Sequence, residues 1–327
     1  MADGMGEEVF ISLGPDRAEL YRWANDRLVQ AIAEREGESG PAGAIYYGRV
    51  TKVDRALNVA FVEIGLEKPG MLPLKSHSRL AEGDGAIVQV KRGVHEEKGV
   101  RLSHGNPADR RLAPMVEGRK PPFLMVPPPA LWESALKMLA PERIAAIHCD
   151  RRADLERVLA WCRTHSPELS AKAAHRPRRD WEPNDAAATE EIAAALQEEV
   201  ALPTGGHLLF EPVRTLTAID VNSGSASERR GDDRGGMGET ALSVNLAAAQ
   251  EIPIQLALRN LGGVIVIDFI DIENRGKRDR VVEALRESVI VDPAIDWVGN
   301  MSRLGLVELK RRRSGPTLAE MWKPSAP

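Results

Sequence analysis

Two apolar runs in the last third of the chain, "LTAI" at 216–219 and "VIVI" at 264–267, each end on an aspartate, Asp220 and Asp268. Between them lies "ETALSVNLAAAQEIPIQLALRN", whose apolar residues recur at helical spacing. A strand, a long helix and a second strand join naturally as a parallel crossover. Parallel strands share one C-terminal edge, and ligands of open α/β sheets bind outside that edge. The pattern thus puts two carboxylates where a ligand would sit. Asn222, two residues beyond Asp220, faces the same side in extended backbone.

Two carboxylates and an amide, with no His or Cys beside them, suit a hard cation. Mg²⁺ takes one or two carboxylates and completes its shell with water and substrate phosphate. Held in this way it supports in-line phosphodiester hydrolysis. The competing reading is local, since an Asp at a strand exit often bonds its own backbone in the following turn. That reading serves for either aspartate alone; the matched pair with Asn222 favours the metal. Asp271 and Glu273 differ in strand parity or lie further along, and are expected in solvent.

The rest of the last third keeps the same rhythm. "TEEIAAALQEEV" reads as a helix with Thr189 at its N-cap, "HLLFEP" and "RTLTAIDVN" as strands, and "KRDRVVEALRESVIVD" as a helix. Pro253 is expected to interrupt or kink the long helix, because an interior proline removes a hydrogen bond. The intervening loop 223–238 is rich in Gly, Ser and charge. Its Arg229, Arg230 and Arg234 either approach phosphate or stay uninvolved.

Upstream, residues 7–13 ("EEVFISL") read as a strand and 15–35 ("PDRAELYRWANDRLVQAIAER") as a helix, followed by a Gly/Ser/Pro linker at 36–43. Between 44 and 103 five short β runs follow one another, as in a small closed barrel of the OB type. Residues 104–130 are rich in Pro and charge. Beyond them "LWESALKMLA" and "RADLERVLAWCRTH" have helical spacing and flank a strand, "RIAAIHC". A polar break at 176–188 contains Arg176, Arg178 and Arg179, a basic cluster read as a solvated loop or a phosphate contact.

Length and composition bound the function classes. A chain of 327 residues accommodates two or three domains of about 100–200 residues. Its net charge of −4 supplies no global basic field, so a polyanion must bind on a local patch. Aromatic content of 4% keeps any stacking platform small. Cys149 and Cys162 form neither a C-x-x-C pair nor a zinc-spaced cluster, and read as buried thiols of a reducing compartment. The start has no secretory pattern and no apolar run reaches the ~20 residues of a membrane span. A cytoplasmic protein is expected.

Three stretches together resemble the catalytic part of the ribonuclease E/G family: "LTAIDVNSG", "ETALSVNLAAAQEIPIQLALRNLGGVIVIDFIDIENRGKRDRVVEALRES" and "MSRLGLVELKRRRSGPTL". "AIYYGRVTKVDRALNVAFVEIGLEKPGMLPL" is similar to the family's S1-type OB-fold. The resemblance implies an α/β (α+β multidomain) chain. An RNase H-like domain (1–42 and 121–200) would be interrupted by an S1-type OB-fold barrel (43–104) and followed by a DNase I-like catalytic α/β subdomain (201–327). Residues 105–120 would form a linker in place of the family's 5′-sensor, whose Arg-Thr pair has no counterpart here.

The resemblance also implies roles. Asp220 and Asp268 match the metal-binding aspartates and Asn222 the assisting asparagine, giving Mg²⁺-dependent endonucleolytic cleavage of single-stranded RNA with a 5′-phosphate on the downstream product. Phe61 matches an RNA-facing aromatic and Lys98 a basic RNA contact. Met71 stands where the family has a second aromatic. Strand parity leaves Phe61 to the barrel core or to its outer face. No zinc link is expected after the final basic run Lys310–Arg313, and a homodimer is neither implied nor excluded. An RNA-binding module that has lost catalysis is the alternative, favoured by Met71 and the short sensor segment and opposed by Asp220, Asn222 and Asp268. Cleavage of DNA also fits the metal site, since hydrolysis needs no 2′-OH.

Overall fold

The computed structural model describes residues 6–35, 40–75, 78–92, 99–105, 112–182, 184–224, 234–313 and 315–323. Two compact units emerge, one of residues 35–131 and one of everything else.

The chain opens with β1 (Glu7–Leu13), β2 (Arg17–Ala24) and β3 (Arg27–Arg35). The segment expected to be a helix is therefore a hairpin. Its turn is carried by Asn25 (φ 49°) and Asp26 (φ 57°), both left-handed, the geometry that two-residue hairpin turns demand and that Asn and Asp tolerate. Leu20 through Ala24 are all buried, so β2 lacks the polar/apolar alternation that marks a half-exposed strand. Helix-forming residue types then dominated the local pattern, and tertiary burial overrode them.

The second unit contains β4 (Ile45–Asp54), β5 (Val59–Glu63), β6 (Gly70–Pro73), β7 (Gly85–Arg92), β8 (Arg101–His104) and β9 (Phe123–Val126). The order β5-β6-β8-β7-β4, with β4 pairing back onto β5, closes a five-stranded barrel. The β6–β8 pairing is parallel, and β9 adds to β4 outside the closed ring. Val50, Ala60, Val62, Leu72, Val88 and Leu102 fill the interior. All five expected barrel strands are present.

Returning to the first unit, the chain forms α1 (Leu131–Met138), β10 (Ile144–Cys149), α2 (Arg152–His165), β11 (Ala173–His175) and α3 (Asn184–Ala195). Strands β10 and β11 extend the opening hairpin into a sheet of order β11-β10-β1-β2-β3. The helix α3 begins five residues before Thr189, so Thr189 is not an N-cap; its hydroxyl donates to the Asp185 carbonyl. The basic cluster is likewise drawn into the fold. Arg178 bonds both Glu19 and Asp185, and Arg176 lies over the Phe10 ring. Arg179 alone of the three is largely exposed.

The last segment forms β12 (Glu199–Ala201), β13 (His207–Pro212), β14 (Leu216–Asn222), α4 (Arg234–Leu258), β15 (Gly263–Asp268), α5 (Arg275–Ser288), β16 (Ile295–Val298), β17 (Leu306–Arg311) and α6 (Leu318–Met321). The sheet order is β12-β13-β14-β15-β17-β16, and β14–β15 is its one parallel pairing. Residues of α4 and α5 share one core with the inward side chains of this sheet, including Ile219, Val221, Ile265, Ile267, Val244 and Leu285. Pro253 does not end α4, which continues to Leu258.

Two buried arginines grip the segment between α5 and β16. Arg22 pairs with Glu7 at 2.9 Å and donates to the Val291 carbonyl. Arg311 pairs with Asp292 at 2.6 Å and donates to Asn260 Oδ1 and the Leu261 carbonyl. Both Arg311 and Asp292 are about 97% or more buried. Breaking such a pair leaves a buried charge, which costs about 3–5 kcal/mol, whereas apolar replacement of both partners is often neutral. We therefore expect Arg311→Met to lower unfolding free energy by about 3–5 kcal/mol. In urea titrations the double variant Arg311→Met/Asp292→Leu should recover more than half of that loss.

Candidate active site and nucleic-acid interface

The parallel pairing of β14 with β15 sets Asp220 directly opposite Asp268. Each aspartate follows an isoleucine that points into the core, Ile219 or Ile267, so period-two alternation sends both carboxylates to the opposite face. Asp220 is half-buried and Asp268 exposed. Asn222 returns to the same side, and its Nδ2 donates to Asp220 Oδ2 at 2.7 Å. The three predicted site residues of this sheet are thus brought together.

Charge is concentrated there. Partial burial, the Asp220 carboxylate and the Asp271 carboxylate together raise the Asp268 carboxyl above the usual carboxylate range. Asp271 is in solvent, as its position suggested, yet it is near enough to act on Asp268. Gly305 lies beside both: a Cβ on it would stand 3.4 Å from Asp271 Oδ1 and 3.9 Å from Asp268 Oδ1. Its φ of +82° lets the turn after β16 pass close to the carboxylates. A divalent cation would relieve this like-charge crowding. Among the described residues no group of three or more His, Cys, Asp or Glu has a metal-holding arrangement. A cation here would take two carboxylates and otherwise non-protein oxygens, the donor set Mg²⁺ accepts.

Two further residues shape the site and were not singled out by sequence. Asn245, fully buried on α4, accepts from the Ile270 N–H at 3.0 Å and donates to the Ile270 carbonyl at 2.8 Å. It clamps the backbone two residues past Asp268. A lone Asn in the apolar stretch "SVNLAAA" was the available signal, since a buried amide must find partners. His207 sits opposite Asn222 across β13–β14, with Nδ1 3.9 Å from a Glu199 carboxylate oxygen.

In the barrel, Phe61 pairs with Lys52 on one side and Met71 on the other, and Met71 pairs with Arg101. Ala60 and Val62 are fully buried, so Phe61 faces outward, which decides the parity that sequence left open. Lys52, Phe61, Met71 and Arg101 form one row across four strands, a cation at each end and two apolar side chains between. Lys52 and Arg101 are exposed, as is Met71. Lys98 lies outside the described residues, as do Arg229, Arg230 and the side chain of Arg234.

Cys149 and Cys162 are both buried free thiols, and burial pushes Cys149 up to about 12. No described helix is long and apolar enough to cross a membrane.

Ribonuclease E of Haemophilus influenzae is 29% identical over 380 residues, covering 90% of this chain and 40% of that protein. Ribonuclease G of Escherichia coli K12 is 26% identical over 398 residues, covering 95% of this chain and 80% of that protein. Ribonuclease E of Nostoc is 43% identical over 136 residues, 42% of this chain and 19% of its own length. The chain therefore spans less than half the length of the ribonuclease E relatives. The family model described as "Ribonuclease E/G family" matches residues 110–314, which include Asp220, Asn222, Asn245 and Asp268, and the chain belongs to that family.

Proposed function

We propose that this chain is a Mg²⁺-dependent endoribonuclease that cuts single-stranded RNA in the cytoplasm and leaves a 5′-phosphate on the downstream product. The observation that carries the reading is the in-register placement of Asp220 and Asp268 across a parallel strand pair, within the segment that matches the family. On this reading the first sheet and its helices are RNase H-like, the barrel is of the S1 type, and the β12–β17 sheet with α4 and α5 is DNase I-like.

Asp220 and Asp268 would hold the cation, which when bound activates water and stabilises charge on the reacting phosphate. The chain's own contribution is positional. Asn222 fixes the Asp220 carboxylate through its amide N–H, leaving the other carboxylate oxygen, Oδ1, turned from that bond. Asn245 fixes the exit of β15, so that Asp268 stays opposite Asp220. Phe61 offers a face on which a base can stack, worth about 1–3 kcal/mol per base. Lys52 and Arg101, at the ends of the same row, suit flanking phosphates.

Arg101 also answers the replacement of an aromatic by Met71. A guanidinium plane stacks on bases as well as pairing with phosphate, and Arg101 is the cross-strand neighbour of Met71. Residues 105–120 stand where a 5′-sensor would be. The alignment to ribonuclease E runs over 380 residues while using 90% of a shorter chain, so that relative carries segments without counterparts here. Weak discrimination among RNA 5′ ends follows from this reading.

Asp220→Asn and Asp268→Asn should each abolish cleavage of a fluorescent single-stranded oligoribonucleotide in Mg²⁺ while retaining its binding; full activity in either variant overturns the assignment. Binding without cleavage by the parent protein, in Mg²⁺ and in chelator alike, would instead favour a non-catalytic RNA-binding protein. A second readout concerns stability. A carboxyl held above its ordinary range stabilises the fold when protonated, and that contribution is lost as pH rises through the raised value. Without divalent ions at neutral pH, Asp268→Asn should therefore be more stable than the parent by about 0.2–1 kcal/mol, the scale of a cross-strand side-chain pair. The gap should close in acid, and Mg²⁺ should raise the melting temperature of the parent only.

Arg101→Ala should weaken oligonucleotide binding about tenfold, or about 1.4 kcal/mol. Arg101→Lys should recover the salt dependence but only part of the affinity. RNA with a 5′-monophosphate should be cut less than tenfold faster than its 5′-hydroxyl counterpart in matched time courses.

A further inference from the structure

The edge strand β16 carries an irregularity that redirects one large side chain. Ile295 pairs with Arg311, Trp297 with Lys310 and Val298 with Leu309, so Asp296 is an extra residue opposite no single partner. With strict alternation, Trp297 would share the inward face of Ile295 and Val298 would point out. The inserted residue reverses this. Ile295 and Val298 both pack against the core, while Trp297 stands on the outer face at 52% exposure. Asp296 is held in place by Arg312, at 2.9 Å from its Nε. Bulges of this kind re-aim side chains near functional sites.

The outer face is also the face of the catalytic aspartates. Lys310 lies opposite Val264, and Val264 is four residues from Asp268 along β15, hence on the same side. Both Lys310 and Val264 are exposed. The Trp297 ring leans toward Gly299, where a Cβ would stand only 2.9 Å from ring atom Cη2. That direction runs toward the Asp268 end of the sheet, because Gly299 bonds Glu308 and Leu306 pairs with Asp268. With strands about 4.8 Å apart and a rise of about 3.3 Å per residue, Trp297 and Asp268 are roughly 16 Å apart.

We propose that Trp297 and Lys310 form a second single-stranded RNA platform. It would receive a nucleotide a few positions from the scissile phosphate, Trp297 stacking on the base and Lys310 pairing with its phosphate. This rests on the reading of Asp220 and Asp268 as the cleavage centre. Glu308 is exposed on the same face between Lys310 and the aspartate row. Its charge repels phosphate, so the strand crosses that stretch with bases toward the sheet. Stacking on Trp297 fits this orientation. Of the five other tryptophans, Trp23, Trp132, Trp161 and Trp181 are buried and Trp322 is half-buried under Arg17, which makes Trp297 the natural reporter of a ligand on this face.

The test uses full chain carrying Asp268→Asn in chelator, so that neither cleavage nor metal contributes. Titration with a 15-mer oligoadenylate should quench tryptophan fluorescence, and Trp297→Ala should remove the quench and weaken binding three- to tenfold. Trp297→Phe should stay within threefold of the parent, and an abasic oligomer of equal length should bind parent and Trp297→Ala alike. Unchanged affinity and quenching in Trp297→Ala overturns the platform. So does a sedimentation mass that falls by half in that variant, which would assign the face to a second copy of the chain. Because binding is read without cleavage, a catalytic assignment that fails in the Asp→Asn assays leaves this result separately readable.

Discussion

Everything at the candidate active site depends on the register of one parallel strand pair. β14 and β15 are separated by the whole of α4, yet their pairing brings residues 220 and 268 face to face. A shift of one residue would turn either carboxylate into the apolar core. The register is fixed from the inner side: Ile219, Val221, Ile265 and Ile267 all belong to the core shared with α4 and α5. Repulsion between the carboxylates opposes the arrangement by about 1 kcal/mol at most. Burying several isoleucine and valine side chains, each worth about 1.5–3 kcal/mol, easily outweighs it. Packing alone can thus hold the two carboxylates in a charged, crowded arrangement.

Charged side chains secure the surrounding frame, though not mainly through surface ion pairs. Arg22 and Arg311 are buried and approach residues 291–292 through separate partners. Arg311 belongs to the run Lys310–Arg313, which by sequence could follow RNA or sit in water. In the strand these residues alternate. Lys310 and Arg312 are exposed, while Arg311 is buried against Asp292, Asn260 and Leu261. The same period of two that assigns Arg311 a structural role leaves Lys310 on the face of the aspartates.

Legibility in the sequence followed the strength of periodic burial. The β14–α4–β15 crossover, the barrel strands, α2 and α5 were readable because their apolar residues recur with a period of their own. The opening hairpin was not, since β2 buries a continuous run and Asn25–Asp26 is a weaker turn signal than Asn-Gly. The convergence of Asp220, Asn222 and Asp268 was legible because polar groups end apolar strands. Asn245 and His207 were less so, because their importance lies in contacts with residues distant in sequence. The bulge at Asp296 lay beyond reach of pattern alone: "AIDWVG" reads equally well with Trp297 inside or outside.

The overall charge of −4 constrains how such a protein can hold RNA. Long-range attraction scales with net field, and here that field is weakly repulsive. Binding must then come from short-range contacts at which the local sign is reversed. The barrel row has this form, with Lys52 and Arg101 bracketing Phe61 and Met71. The Trp297–Lys310 pair repeats it on the sheet that carries Asp220 and Asp268, with one aromatic and one cation. Stacking on a ring is insensitive to base identity and contributes in high salt, whereas each released counterion contributes less as salt rises. On the proposed reading, an acidic nuclease that grips by rings and isolated cations would trade speed of capture for selectivity toward unstacked, single-stranded RNA. Duplex RNA presents phosphates but keeps its base faces hidden, and these narrow platforms have little to offer it.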